Sequence, residues 1–199
     1  MNTIVAPLAP VLSDRRRARQ LLAAIHTLQT VEQANRLPTP EERTVLAQYG
    51  GLGSMANRLF PHPVSGVWRG AGWQALGKEL QALLTPEEYR MARASITTAF
   101  FTPSMIIDWI YTALRQLGMP HDVLILEPGF GSGHFFAAAH PQTRFVGVEL
   151  DGLSARVARA LYPNHDLRIG NIRDVGLPSV QSVIGNVPFS DIRYSWEGH

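Results

Sequence analysis

Two short stretches carry residue types that could do chemistry together. The first is Glu127-Pro128-Gly129-Phe130-Gly131-Ser132-Gly133, with Glu149 sixteen positions beyond its last glycine. Alternating glycines permit a tight turn and let a ligand come close to the backbone. A carboxylate at Glu149 can accept hydrogen bonds from two ribose hydroxyls. Unpaired N–H groups where a helix opens after the turn would attract an anionic group. The plain alternative is an ordinary turn with a surface acid, since spaced glycines occur in many loops.

The second stretch is Asn186-Val187-Pro188-Phe189. An asparagine side-chain oxygen can accept one hydrogen of an exocyclic amino group, and the main-chain carbonyl of Val187 can accept the other. Pro188 biases Val187 toward extended backbone, which helps fix that carbonyl. Phe189 offers a flat face for an extruded base. The lone pair of an adenine amino group is delocalised into its ring. Holding both protons favours a more tetrahedral nitrogen and aims the lone pair at a methyl sulfonium. Positioning and electrostatics then carry most of the reaction, without a metal or a strong base. The plain alternative here is an Asn-capped turn followed by a core phenylalanine.

The elements that must position these residues are legible as periodicity. Val123–Leu126 and Phe145–Val148 are continuous apolar runs, as in strands buried on both faces. Leu167–Ile169 and Ser182–Gly185 read as a third and a fourth strand. Helices are expected at 132–140 and 152–162, so strands and helices alternate as in parallel βαβ units. Upstream, helices are expected at about 14–35, capped by Ser13 or Asp14, and at 40–49 behind Thr39-Pro40-Glu41-Glu42. Further helices are expected at 73–84, from Thr85 to Ala94, and from Pro103 to Leu117. The last of these would bury Ile106, Ile107, Ile110, Leu114 and Leu117 on one face. Residues 54–74 read as irregular. The chain divides into a helical region, 1–95, and an α/β region, 96–199.

Composition narrows the class. Of 199 residues, 45% are hydrophobic and 17% charged, a globular balance rather than a disordered one. No apolar run reaches membrane-spanning length, so no membrane partner is expected. The apolar opening lacks the basic start and small-residue cleavage site of a secretory signal. Cysteine is absent, which excludes disulfides and thiolate metal sites and suits a cytoplasmic location. The histidines show no ligand spacing, so no metal is expected. Net charge is +2, and Lys78 is the one lysine among 18 basic residues. Arg15, Arg16, Arg17 and Arg19 cluster at the start of the first helix; a solvated face is favoured there over a nucleic-acid contact. Trp68, Trp73 and Trp109 are expected in the core.

Taken in order, these motifs resemble a family. The chain is similar to the N6-adenine DNA methyltransferases, above all to the methylase region of large phage- and plasmid-borne methylase–helicase proteins. The resemblance runs over about 44–193. It rests on Leu46-Ala47-Gln48-Tyr49-Gly50-Gly51-Leu52-Gly53, Leu84–Tyr89 with Ala92–Ser95, and Phe101-Thr102-Pro103. It continues through Leu126–Gly133, Val146–Asp151 and Ile184–Phe189. The resemblance implies S-adenosylmethionine as cofactor and adenine-containing DNA as substrate. It implies that Thr102 and Pro103 contact the methionine end of the cofactor. Glu127, Gly129, Gly131 and Gly133 would form the cofactor loop, and Glu149 would bind the ribose. Asn171 would read the cofactor's adenine amino group, with Asp174 a weaker candidate. Asn186, Val187, Pro188 and Phe189 would be the catalytic tetrapeptide.

Two departures stand out. Family members usually have proline where Val187 stands, a tolerable change because the role is a backbone carbonyl. The third glycine of a dinucleotide fingerprint would fall on His134, which counts against a nicotinamide oxidoreductase. The family sheet has seven strands, of which four are countable here, and the sequence stops ten residues past Phe189. The expected fold class is therefore α/β, an incomplete Rossmann-like S-adenosylmethionine-dependent methyltransferase sheet preceded by a helical region. A further C-terminal methylase or helicase polypeptide is an expected partner. The competing expectation is a non-catalytic DNA- or protein-binding remnant of such a mobile-element protein.

Overall fold

A computed structural model of the chain describes residues 13–94 and 102–186. Helix α1 (Asp14–Gln33) begins where Ser13, in extended backbone, accepts a hydrogen bond from the Arg16 amide at 3.4 Å. Its buried stripe is Leu21, Leu22, Ile25, Leu28 and Val31. Arg15, Arg16, Arg17 and Arg19 are exposed, as a solvated face requires. Helix α2 (Pro40–Leu46) opens on a capping box in which Thr39 and Glu42 satisfy each other's amides. Thr85 and Glu88 form the same pairing at the start of α5 (Pro86–Ala94).

The stretch expected to be irregular contains structure. A 3-10 turn (Gly53–Met55) runs into a one-turn helix α3 (Ala56–Leu59), which packs on α4 (Ala71–Leu83). Glycine-rich composition hid these turns, but Met55 and Leu59 are buried and fix them. Gly77 explains the close docking of α4. A Cβ there would lie 1.9 Å from the Trp68 ring and 2.6 Å from the Leu59 carbonyl oxygen.

The second half is a parallel sheet of β1 (Leu124–Pro128), β2 (Arg144–Glu149), β3 (Asp166–Ile169) and β4 (Ser182–Val183). The strand order is β3-β2-β1-β4, so the chain crosses back over β1 between β3 and β4. That reversal is the switch point of a Rossmann-like sheet, where ligands bind beyond the strands' carboxyl ends. Register aligns Pro128 with Val148, and Glu149 with Ile169. Helices α6 (Ser104–Gln116), α7 (His134–Ala138) and α8 (Gly152–Leu161) complete the described fold. The expected Rossmann-like α/β sheet behind a helical region is the fold the chain adopts.

Helix α8 is buried on two sides. Leu153, Val157 and Leu161 join the core of the N-terminal helices, while Ala155 and Ala158 face the core of the sheet. Burying each of its large aliphatic side chains contributes roughly 1.5–3 kcal/mol. Helix α6 corrects an expectation. Ile107 and Tyr111 are its buried residues, whereas Ile106 is exposed and Leu117 is 84% exposed. Trp109, expected in the core, is 67% exposed; Trp68 and Trp73 are half-buried. Among the described residues, no helix is long and apolar enough to cross a membrane.

Candidate functional site

The glycine loop leaves β1 at Pro128 and turns at once. The Gly129 amide donates to the Val148 carbonyl at 2.8 Å, tying the turn to β2. Gly129, Gly131 and Gly133 have φ of +69°, +55° and +86°, a region costly to other residues. They differ in surroundings. A Cβ at Gly129 would meet only open space, whereas one at Gly133 would sit 2.6 Å from Phe136 and 2.8 Å from Tyr162.

Glu149, at the end of β2, closes over this loop. Its Oε2 accepts from the Gly131 amide at 2.7 Å, and its Oε1 accepts from the Asp151 amide at 2.8 Å. The Gly133 amide donates to Phe130 at 2.9 Å. The loop's three glycine amides are therefore already used, and α7 spans five residues rather than the expected nine. The glycine amides are thus not the N–H groups left for an anion; α7 itself opens without a side-chain cap. Burial raises the Glu149 carboxyl above its usual range, opposed by the Asp151 and Gly131 hydrogen bonds.

Glu127 is the counterpart with a donorless oxygen. It is 2% exposed, and its Oε2 has no hydrogen-bond partner among the described residues. Burial, reinforced by the nearby Glu149 charge, pushes its carboxyl well above the usual carboxylate range. Burial of this kind favours the neutral form and leaves the charged form in need of a cation or a donor.

Three further segments converge on the same edge. Thr102 and Pro103 lead into α6, which is pinned to α7 by the Tyr111 hydroxyl donating to Phe135 O at 2.9 Å. Thr102 Oγ1 is buried and has no partner among the described residues. The His134 imidazole makes a hydrogen bond to the Thr102 backbone, and burial lowers its pKa. On the other side, the Ile184 amide donates to Leu126 O at 3.0 Å and seats the chain beside β1. A Cβ on Gly185 would lie 3.2 Å from the Pro128 carbonyl and 3.7 Å from Glu127 Cγ. That close passage delivers Asn186 to a cleft of about 320 Å³ lined by Thr102, Pro103, Ile106, Ile110, Phe135 and Gly185.

Asn171 follows β3 on the same edge. Its side-chain oxygen accepts from the Arg173 amide at 3.1 Å, which folds the loop between exposed Ile169 and Ile172. The structure thus brings Thr102, Pro103 and Asn186 around one cleft, with Glu127 packed beside Gly185 at its edge. Gly129, Gly131, Gly133 and Glu149 adjoin it through Pro128, with Asn171 farther along. Val187, Pro188 and Phe189 lie outside the described residues. Sequence reasoning missed Asp151, which caps α8 through the Leu153 and Ser154 amides while donating to Glu149. An acid directly before Gly-Leu-Ser was a legible N-cap signal. It also missed the structural part of Tyr111, four positions past Ile107 on the buried face of α6.

No protein-family model matches the chain, and no curated protein is significantly similar to it. Among solved structures it is similar to the methyltransferase subunit of a type I restriction-modification system from Streptococcus thermophilus. The identity is 14%, with 89% of this chain and 58% of that one covered and a TM-score of 0.40. It is also similar to a Listeria monocytogenes protein provisionally assigned to the class I S-adenosylmethionine-dependent methyltransferases. There the identity is 13%, the coverage 87% and 59%, and the TM-score 0.36. The chain spans less than two thirds of either structure, and likenesses this distant decide nothing about its chemistry. What strand order and geometry establish is a Rossmann-like sheet with a candidate ligand cleft at its carboxyl edge.

Proposed function

We propose that the chain carries the cofactor-binding and catalytic part of an S-adenosylmethionine-dependent methyltransferase acting on the adenine amino group of DNA. The observation that carries this reading is the passage of Gly185 against Pro128, which opens Asn186 onto the cleft bounded by Thr102 and Pro103. A reaction needing an amide acceptor beside a cofactor loop requires that adjacency.

The residues fit this cofactor better than a dinucleotide. A pyrophosphate needs free backbone amides, and those of Gly129, Gly131 and Gly133 are already bonded within the protein. Each Glu149 oxygen retains a lone pair for a ribose hydroxyl. Two unsatisfied buried oxygens, Glu127 Oε2 and Thr102 Oγ1, suit a ligand that is cationic and rich in N–H donors. Asn171, flanked by Ile169 and Ile172, suits an adenine ring with its amino group. When bound, S-adenosylmethionine supplies an electrophilic methyl group on a sulfonium.

The chain's own residues do the rest. Asn186 Oδ1 accepts a hydrogen bond from one N–H of the target amino group, and the Val187 carbonyl accepts one from the other; the surplus proton leaves to solvent after the methyl group is transferred. A proline at 188 biases its predecessor toward extended backbone, which would fix that carbonyl, and Phe189 offers a face on which the extruded base would stack. These groups turn the nitrogen lone pair outward and stabilise the charge that develops on it. Methyl transfer from labelled cofactor to duplex DNA, read as N6-methyladenine after digestion, tests the proposal. Label in adenine that falls to background in Asn186→Ala supports it. Label that survives in Asn186→Ala, or that lies on another base, overturns it.

A further inference from the structure

Leu46–Gly53, singled out in the sequence but unused by the chemistry above, ends beside the glycine loop. Tyr49, which follows α2, is 1% exposed. Its carbonyl oxygen accepts from Ser132 Oγ at 3.4 Å, and its hydroxyl lies 3.3 Å from Ser154 Oγ. Ser154 Oγ is in turn bonded to Asp151 Oδ2. The Asp151 amide holds one oxygen of Glu149, and the other accepts from Gly131, the neighbour of Ser132. The contacts close into a circuit that runs from Tyr49 through Ser154, Asp151, Glu149 and Gly131 to Ser132, and returns to Tyr49.

Proton counting fixes the direction of the circuit. Ser154 has one hydroxyl proton, and the Asp151 carboxylate can only accept it. Tyr49 must therefore donate to Ser154. Burial raises the Tyr49 phenol far beyond its usual range, so that proton stays in place. Phenylalanine would fill the same core volume but leave Ser154 without its donor.

We propose that Tyr49 is a positioning residue for the ligand site. Through its two ends it holds the acid at 149 and the loop at 131 in one relative pose. The N-terminal helical region is then a wall of that site rather than an appendage. This rests on the reading of Glu149 as the ribose-binding acid. It also assigns a role to the Tyr49-Gly50-Gly51 segment that the catalytic chemistry leaves idle.

The test compares wild type, Tyr49→Phe, Ser154→Ala and the double variant. Amide exchange by NMR without ligand is one readout, and calorimetric affinity for S-adenosylhomocysteine is the other. In Tyr49→Phe, exchange at Gly131 and Asp151 should rise about tenfold while the β2 amides of Val146 and Val148 stay protected. Affinity should fall about tenfold, and the double variant should lose no more than either single one. Unchanged exchange at Gly131 and Asp151, or losses that add in full, would overturn the proposal. Exchange that rises as predicted in a protein whose wild type does not bind S-adenosylhomocysteine would sink the methyl-donor reading instead, and leave the positioning role standing.

Discussion

Glu127 and Glu149 sit at the ends of neighbouring strands and differ in the N–H groups around them. Glu149 has two amide donors and Glu127 Oε2 has none among the described residues. Two predictions follow at this scale. Glu149→Ala removes the tie on Gly131 and, on the proposed reading, the acceptor of both ribose hydroxyls. It should weaken S-adenosylmethionine binding about 100-fold by calorimetry, at about 1–3 kcal/mol per charge-assisted hydrogen bond. Glu127 should set a pH dependence of stability. In the unfolded chain it titrates near 4.5, while in the fold it keeps its proton to higher pH. Over that window the native state binds more protons than the unfolded one, so stability falls as pH rises. The urea midpoint of wild type relative to Glu127→Gln should decline from about pH 5 toward neutrality, since the opposing contribution of His134, whose pKa burial lowers, is common to both. A difference between the two proteins that stays flat or grows over that range would contradict the raised Glu127 carboxyl. Spacing alone made both acids legible. Their different states were not, because these depend on the β1–β2 register and on the loop folding back under Glu149.

The glycine loop makes two glycines distinguishable at the scale of the element. Gly129→Ala meets open space and incurs only the left-handed backbone cost, about 1–2 kcal/mol. It should fold, yet fail to bind cofactor if, as proposed, the ligand approaches the backbone at Gly129. Gly133→Ala adds a clash with Phe136 and Tyr162 and should cost roughly 3 kcal/mol or more. Thermal melts with calorimetry on both variants separate the two effects; equal losses of stability would contradict the assignment. The strands were legible because apolar runs bounded by glycine and proline leave few alternatives. The face of α6 was not. Counting only aliphatic residues put Leu117 inside and left out Tyr111, whose hydroxyl finds a carbonyl in the core. The turns at 53–59 were missed for the opposite reason, since local glycine content argued against helix while tertiary burial of Met55 and Leu59 imposed it.

Across the whole molecule, α8 ties the two cores together. Val157 is fully buried against the N-terminal helices, while Ala155 and Ala158 pack on the sheet side of the same helix. The helical and α/β parts should therefore unfold as one cooperative unit. Val157→Ala should cost about 2 kcal/mol and lower the midpoint equally by tryptophan fluorescence, to which Trp68, Trp73, Trp109 and Trp196 contribute, and by far-ultraviolet circular dichroism. Two separated transitions would show that the parts are independent. Sequence periodicity suggested a division near residue 95; the packing of α8 on both cores was not legible from it.

Everything proposed about chemistry depends on which ligand the carboxyl edge accepts. Titration calorimetry of the folded chain with S-adenosylmethionine, and separately with a nicotinamide dinucleotide, asks that directly. Micromolar-range binding of the sulfonium compound with none of the dinucleotide is the expected result. A folded sample that gives no heat with S-adenosylmethionine, or that binds the dinucleotide in its place, would contradict it.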